Sequence, residues 1–227
     1  MGHLRSLIIR YHRRRFAILF FSLLFTLVGH PLLGALHADL DLGVFFSLNL
    51  LAVVMASAEG RWRAPAVLAV LFIGARGIQV LADLPVVLSA SETFFTGAAL
   101  LACAETLRFV LRKGVVDSER IYAALSVYLL AGLMFGVAYH VMESVWPGSL
   151  RLTSGELAPA SPGLLTSIYF SFVTLATLGY GDVVPLSSLA RAAAMVEAVG
   201  AQLYVAVLIA RLVSLQDRES DGNRSRE

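Results

Sequence analysis

The sequence TLATLGYGD occupies residues 174–182, near the C-terminal end of the chain. Its inner part places a glycine on each side of Tyr180. Glycine adopts backbone conformations that residues with a Cβ resist, so this spacing allows successive backbone carbonyls to be aimed at one axis. We interpret the inner part as a cation-binding segment, in which carbonyl oxygens and one threonine hydroxyl replace the water shell of an ion. The residues of this segment are Thr177, Leu178, Gly179, Tyr180 and Gly181.

Apolar segments lie on both sides of this stretch. The sequence LLTSIYFSFVTLA covers Leu164–Ala176, and a longer apolar run begins at Leu189. A short helix, a loop and a spanning helix are therefore predicted in this order. The alternative is an ordinary Gly-Tyr-Gly turn, but such a turn would not need a short helix before it and a spanning helix after it.

These residues resemble the pore of tetrameric potassium channels, in which Thr-Val-Gly-Tyr-Gly is followed by Asp. The resemblance implies a homotetramer around one axis, K⁺ bound through filter carbonyls as the permeant ion, and no cofactor. Tyr169 matches an aromatic residue that can hydrogen-bond the Asp after the filter, here Asp182. Leu178 stands where the family usually has Val, and Ala176 where it often has Thr. These departures leave a non-selective cation channel as an alternative.

Composition indicates a membrane protein. The chain is 58% hydrophobic with a mean hydropathy of +0.76, which is typical of proteins with several spanning segments. Its single cysteine, Cys103, excludes an intrachain disulfide. The sequence shows no metal-ligand cluster, nucleophile triad or phosphate loop, so we do not expect an enzyme.

The apolar segments predict an all-α membrane protein with six transmembrane helices and a re-entrant pore helix and filter between the fifth and sixth. The predicted spans are 16–33, 42–58, 65–82, 86–108, 120–142 and 188–213. The predicted units are a cytoplasmic amphipathic segment (1–15), a four-helix sensor-like or scaffold domain (16–112), a pore domain (113–215) and a disordered cytoplasmic tail (216–227). A cleaved signal peptide over 1–38 is a weaker alternative.

The distribution of basic residues predicts the orientation. With both termini cytoplasmic, fifteen of the 18 Lys and Arg residues lie on the inner side, which agrees with the positive-inside rule. The same orientation places Asp182 at the outer face. We therefore expect a multi-pass protein of the plasma membrane.

The segment before the pore resembles the layout of voltage-gated cation channels, but it lacks an arginine at every third position of the fourth span. We therefore expect weak voltage dependence.

Arg76, in the third predicted span, is expected to pair with Glu92, because an unpaired intramembrane charge costs at least ~2.5–3.5 kcal/mol. A lone gating charge at Arg76 is the alternative. A further hypothesis is that residues 16–112 form a membrane sensor for a ligand, with the pore as its output. A separate regulatory protein is another candidate partner.

The last apolar run also predicts the inner half of the pore. A spacing of three and four places one set of side chains on a single helical face, which we expect to line the cavity below the filter. These residues are Gln202, Val205, Ile209 and Val213, with Gly200 as a hinge just above them.

Glu197 is expected to hydrogen-bond behind the filter, and His140 and Glu143 are candidate pH-sensitive groups at the outer end of the fifth span. Asn49 is expected to hydrogen-bond a neighbouring helix.

Overall fold

The computed structural model describes residues 14–35, 85–111, 117–153 and 162–224, together with isolated residues between 48 and 74. Over these residues the chain forms five α-helices and a short two-stranded antiparallel ribbon. The elements in chain order are α1 (Arg15–Ala35), α2 (Pro85–Leu111), α3 (Ser118–Val145), β1 (Leu150–Leu152), α4 (Leu164–Leu175), β2 (Val183–Pro185) and α5 (Ser188–Arg224).

Helix α3 is the centre of the fold and packs against α1, α2, α4 and α5. It begins at Asp117, whose carboxylate accepts a hydrogen bond from the backbone N–H of Arg120 at 3.0 Å, an N-cap that satisfies an unpaired donor of the first turn. The Glu119 carboxylate accepts another bond from the backbone N–H of Phe16 at 2.9 Å. The starts of α1 and α3 are therefore held together. The main core cluster includes Leu19, Leu23, Leu130, Leu133, Val137 and Ile168.

Two glycines of α3 allow α4 to approach closely. A β-carbon on Gly136 would lie 2.6 Å from the Cα of Ile168, and one on Gly132 would lie 2.6 Å from Cζ of Phe172. Real β-carbons do not come this close to other heavy atoms, so a side chain at either position would force its neighbour to move. The position of α4, and of the loop that follows it, is set by this contact.

A second cluster lies at the end of the molecule that carries the ribbon. Tyr139 of α3 packs edge-on against Phe170 of α4, with ring centroids 4.9 Å apart. Leu150 of β1, Val183 of β2 and Ala190 of α5 complete the cluster. It joins the ribbon to the helices on either side of the 176–182 loop.

The prediction of six transmembrane helices is wrong. Over the described residues, two helices are long and apolar enough to cross a membrane, Ser118–Val145 and Ser188–Arg211. The apolar stretches Arg15–Gly29 and Leu164–Leu175 are shorter than the ~20 residues that a crossing helix needs. Hydropathy alone does not separate a spanning helix from an apolar helix that packs on protein, and this is why the sequence count was too high.

Other predicted spans fall on residues that the structure covers only in part. Those at 42–58 and 65–82 lie outside the described residues, apart from isolated positions such as Asn49. The Asn49 side chain is buried and bonds α1, accepting from Ser22 Oγ and donating to Thr26 Oγ1, each at 2.7 Å. This is the hydrogen bond to a neighbouring helix expected from the sequence.

The C-terminal helix is longer than predicted. It continues to Arg224, whereas the sequence predicts a disordered tail from residue 216. Extending an existing helix adds one hydrogen bond per residue without a new nucleation step, so polar residues that would not start a helix can prolong one.

The contact between α3 and α4 gives a test with three glycine-to-alanine changes. Alanine at Gly136 should destabilise the protein most, because it meets the backbone of Ile168, which cannot move aside. Overpacking of this kind costs ~1–3 kcal/mol. Alanine at Gly132 should cost less, because the Phe172 ring can shift. Alanine at Gly200, with nothing within 4 Å, should be neutral or stabilising by up to ~1 kcal/mol through helix propensity.

Thermal unfolding of the detergent-solubilised protein measures this order. Equal melting temperatures for Gly136→Ala and Gly200→Ala would contradict the close approach of the two helices.

Candidate functional site

The short helix α4 ends directly at the 176–182 loop. The first backbone N–H groups of the loop donate back to the last carbonyls of the helix: Ala176 to Phe172 at 2.9 Å, and Leu178 to Val173 at 2.9 Å. The Tyr128 hydroxyl of α3 donates to the Leu175 carbonyl at 3.2 Å. The loop therefore starts from a fixed position, next to the helix end that carries partial negative charge.

Backbone conformation alternates along the loop. Thr177, Gly179 and Gly181 have φ of +57°, +56° and +78°, while Leu178 and Tyr180 between them have ordinary negative φ. Residues that alternate in the sign of φ can turn successive peptide planes the same way, so that N–H groups line one side of the chain and carbonyl oxygens the other. The loop can therefore present a row of backbone oxygens.

The conformation of Thr177 was not expected from the sequence. The two glycines adopt positive φ at little cost, but a β-branched residue rarely does. A residue held in such a region costs ~1–3 kcal/mol and persists only where its surroundings fix it. Here the backbone N–H of Thr177 donates to the Thr174 carbonyl at 3.0 Å, which ties the residue to α4.

Asp182 closes the outer end of the loop. The Tyr169 hydroxyl of α4 donates to Asp182 Oδ2 at 2.7 Å, which is the contact implied by the sequence resemblance. This bond stabilises the protonated phenol and, with smaller contributions from desolvation and nearby charge, raises the pKa of Tyr169 to about 12. The second carboxylate oxygen, Oδ1, accepts from the Val183 backbone N–H at 3.0 Å.

A ribbon that the sequence did not predict also holds this end. Strand β1 pairs with β2 in antiparallel register, with Leu150 opposite Pro185 and Leu152 opposite Val183. Just beyond β1, Thr153 donates twice to the loop: its hydroxyl to the Gly181 carbonyl at 2.5 Å, and its backbone N–H to the Asp182 carbonyl at 2.8 Å. The segment that follows α3 is therefore bonded to the loop at Thr153.

Glu143 positions this ribbon. Its carboxylate is buried, 3% exposed, and accepts from the backbone N–H groups of Gly148 and Leu150 at 2.8 Å each. Gly148 has φ of +87°, so the turn between α3 and β1 uses the conformational freedom of glycine. These bonds give Glu143 a structural role in the turn between α3 and β1.

The loop itself is open to its surroundings in the single chain. Leu178 and Tyr180 are 54% and 66% exposed. Apolar side chains along one side of α5, such as Val199 and Leu203, are also exposed. Contiguous exposed apolar surface of this kind indicates contact with lipid or other chains.

The predicted cavity residues lie on α5, past the loop. Gln202 and Ile209 are exposed and Val205 is half-buried, while the side chain of Val213 lies outside the described part. Gly200 is exposed. The face that they form is open in one chain, so the cavity stays a prediction.

The predicted pair of Arg76 and Glu92 is not described. Arg76 lies outside the described residues, and Glu92 is placed only through the backbone of α2. Their pairing also stays a prediction.

Comparison with known proteins identifies one region. Residues 125–216 match a protein-family model described as ion channel. The match begins within α3, ends within α5, and covers less than half of the 227 residues. No curated protein and no solved structure matches the chain.

The matched part of the chain is therefore similar to an ion-channel domain of the short type, which has two transmembrane helices. The two helices long and apolar enough to span a membrane in this part are α3 and the first part of α5, with α4, the loop and the ribbon between them. This agrees with a membrane protein that is not an enzyme, as expected from the sequence. It does not agree with the six-helix layout of voltage-gated channels.

The bond between Thr153 and Gly181 predicts a role for the ribbon in holding the loop. Thr153→Val removes the hydroxyl and keeps the shape, whereas Thr153→Ser keeps the hydroxyl. One hydrogen bond contributes ~0.5–1.5 kcal/mol, so we expect up to about a tenfold faster loss of current during sustained recording for the valine variant. The serine variant should resemble the wild type.

Currents recorded in planar bilayers measure this decay. Identical decay for the wild type and both variants would contradict a role of Thr153 in holding the loop.

Proposed function

We propose that four copies of this chain form a potassium-selective channel, with the filter built from residues Thr177 to Gly181. K⁺ passes down its gradient as the permeant ion, and no cofactor takes part. Backbone carbonyls of Thr177, Leu178, Gly179 and Tyr180, with the Thr177 hydroxyl, replace the water that the ion loses.

The observation that carries this proposal is the alternation in the sign of φ from Thr177 to Gly181. Side chains in an ordinary turn offer at most a few oxygens on different sides. A row of carbonyls on one side of the chain instead provides stacked oxygens at regular spacing, which is what a dehydrated cation needs. The Gly-Tyr-Gly sequence favours potassium over other cations through the resemblance described above.

Four chains are proposed because one loop supplies oxygens from one side only. Closed rotational symmetry brings identical loops around one axis, and homo-oligomers most often have such symmetry. The exposure of Leu178, of Tyr180 and of the apolar side of α5 is consistent with burial between chains. In this assembly the C-terminal ends of four α4 helices point their partial negative charge towards the axis.

The second half of α5 is proposed to form the inner pore. Its face with Gln202, Val205, Ile209 and Val213 lines a cavity below the filter, and Ile209 or Val213 forms the narrowest ring. A ring of apolar side chains can close a pore by dewetting. Gly200, where an added β-carbon would meet nothing within 4 Å, is the proposed hinge.

The orientation follows from the distribution of arginines. We propose that both termini are cytoplasmic and that Asp182 faces outwards in the plasma membrane. Steep voltage gating uses 3–4 charges per subunit, each worth ~2.3 kcal/mol per 100 mV. The sequence offers no such series of arginines on one helix, so we expect weak voltage dependence.

Glycine-to-alanine changes in the filter test the proposal. Gly179→Ala and Gly181→Ala should each abolish K⁺ flux, because both residues have positive φ and a Cβ there forces the peptide planes to turn. Neither alanine would meet another atom within 4 Å in the single chain, so a clash within the chain would not explain a loss of flux. Flux is measured from purified protein in liposomes with a K⁺ gradient.

Gly163→Ala is the matched control, since Gly163 has φ of −70° and also has open space around it. It should conduct like the wild type. Size-exclusion chromatography checks that each variant assembles. Wild-type flux in both filter variants would refute the filter assignment.

A further inference from the structure

A buried polar cluster joins the three helices behind the 176–182 loop. Glu197 of α5 is 1% exposed, and Tyr139 of α3 and Ser171 of α4 are fully buried. The Tyr139 hydroxyl lies 2.7 Å from Glu197 Oε2, and Ser171 Oγ is within hydrogen-bond distance of Glu197 Oε1. Ser171 Oγ also lies 2.7 Å from the Gly132 carbonyl oxygen of α3.

These three contacts need three protons. A tyrosine or serine hydroxyl has one O–H to donate, and a carbonyl oxygen or an ionised carboxylate has none. Tyr139 supplies the proton for its own bond. Ser171 supplies one proton but has two acceptors in contact, the Gly132 carbonyl and the carboxyl group of Glu197. One contact therefore has no proton unless Glu197 carries it.

A protonated Glu197 satisfies every contact. Its acid proton is donated to Ser171 Oγ, Ser171 donates to the Gly132 carbonyl, and Tyr139 donates to the other carboxyl oxygen. An ionised Glu197 would instead be a buried charge facing hydroxyl groups, which costs several kcal/mol without a cationic partner. The titratable groups that face it, Tyr128 and Tyr139 of α3, are both phenols.

We propose that Glu197 is a neutral carboxylic acid and a positioning residue that fixes α5 to the helix before the filter. The protonation state does not depend on which ion passes, whereas the positioning role rests on the proposed channel function. The hydrogen bonds that the structure describes for Glu197 do not reach a residue of the filter. It acts through Ser171, which lies on α4 and is hydrogen-bonded to α3.

The connection from Ser171 to the loop is short. Two residues further along α4, the Val173 carbonyl accepts the Leu178 backbone N–H at 2.9 Å. A movement of α5 at Glu197 is therefore transmitted through α4 to the first turn of the loop. On the other side, Glu197 lies three residues before Gly200, so the cluster fixes α5 just above the proposed hinge.

The experiment compares Glu197→Gln with Glu197→Leu. Glutamine reproduces the neutral acid: its amide N–H₂ donates to Ser171, and its oxygen accepts from Tyr139. Leucine has a similar size and makes neither bond. In liposomes, we expect K⁺ flux within about twofold of wild type for glutamine and a loss of roughly tenfold or more for leucine, which leaves buried hydroxyls without partners.

Infrared difference spectra of the wild type and Glu197→Gln test the proton directly. The carbonyl band of a protonated carboxylic acid should be present in the wild type, shift in D₂O and vanish in the glutamine variant. If the wild type lacks this band, or if glutamine is as defective as leucine, Glu197 acts as an anion and the proposal is wrong. Wild-type flux in the leucine variant would remove the positioning role.

The spectra separate this proposal from the channel assignment. A protein with the acid band but no K⁺ flux would keep the neutral Glu197 and refute the proposed function together with the positioning role. Size-exclusion chromatography shows whether the leucine variant assembles. If the leucine variant does not assemble, Ser171→Ala is the second test. This change removes the hydrogen bonds of Ser171 but leaves the bond between Tyr139 and Glu197, and it must lower K⁺ flux for the positioning role to stand.

Discussion

The backbone of the 176–182 loop cannot hold its own conformation. Three of its residues have positive φ, and one of them, Thr177, is β-branched and unfavourable there by ~1–3 kcal/mol. Surrounding elements fix it from both ends. The turn at the end of α4 fixes the start, while Tyr169, Thr153 and the ribbon fix Asp182 and Gly181. The close contact of α3 with α4 at two glycines and the buried cluster at Glu197 support the loop from behind.

Some parts of this arrangement could be predicted from the sequence because their signal is local. Gly179 and Gly181 stand where positive φ is needed, and the apolar segments on either side predict α4 and the start of α5. The hydrogen bond between Tyr169 and Asp182 was implied by the resemblance to potassium channels. In each case the decisive residues lie within a few turns of the loop.

Other parts depend on contacts between distant residues, which local patterns do not specify. Thr153 bonds Gly181 across a segment that the sequence presents only as rich in proline and glycine. For Glu197 the sequence predicts a hydrogen bond behind the filter, but it does not specify the two partners, Tyr139 and Ser171, on two other helices. The predicted count of spanning helices is too high because length and hydropathy alone do not separate a crossing from an apolar helix that packs on protein. Glycines at 132 and 136 look like ordinary small residues until α4 is packed against them.

The measurement that tests the account most directly is the reversal potential of the purified protein in a planar bilayer, with K⁺ on one side and Na⁺ at equal concentration on the other. A filter of backbone carbonyls that selects K⁺ predicts a reversal potential far from zero, with the K⁺ side negative. A reversal potential near zero with measurable current would contradict potassium selectivity, and the loop would then be the pore of a non-selective cation channel.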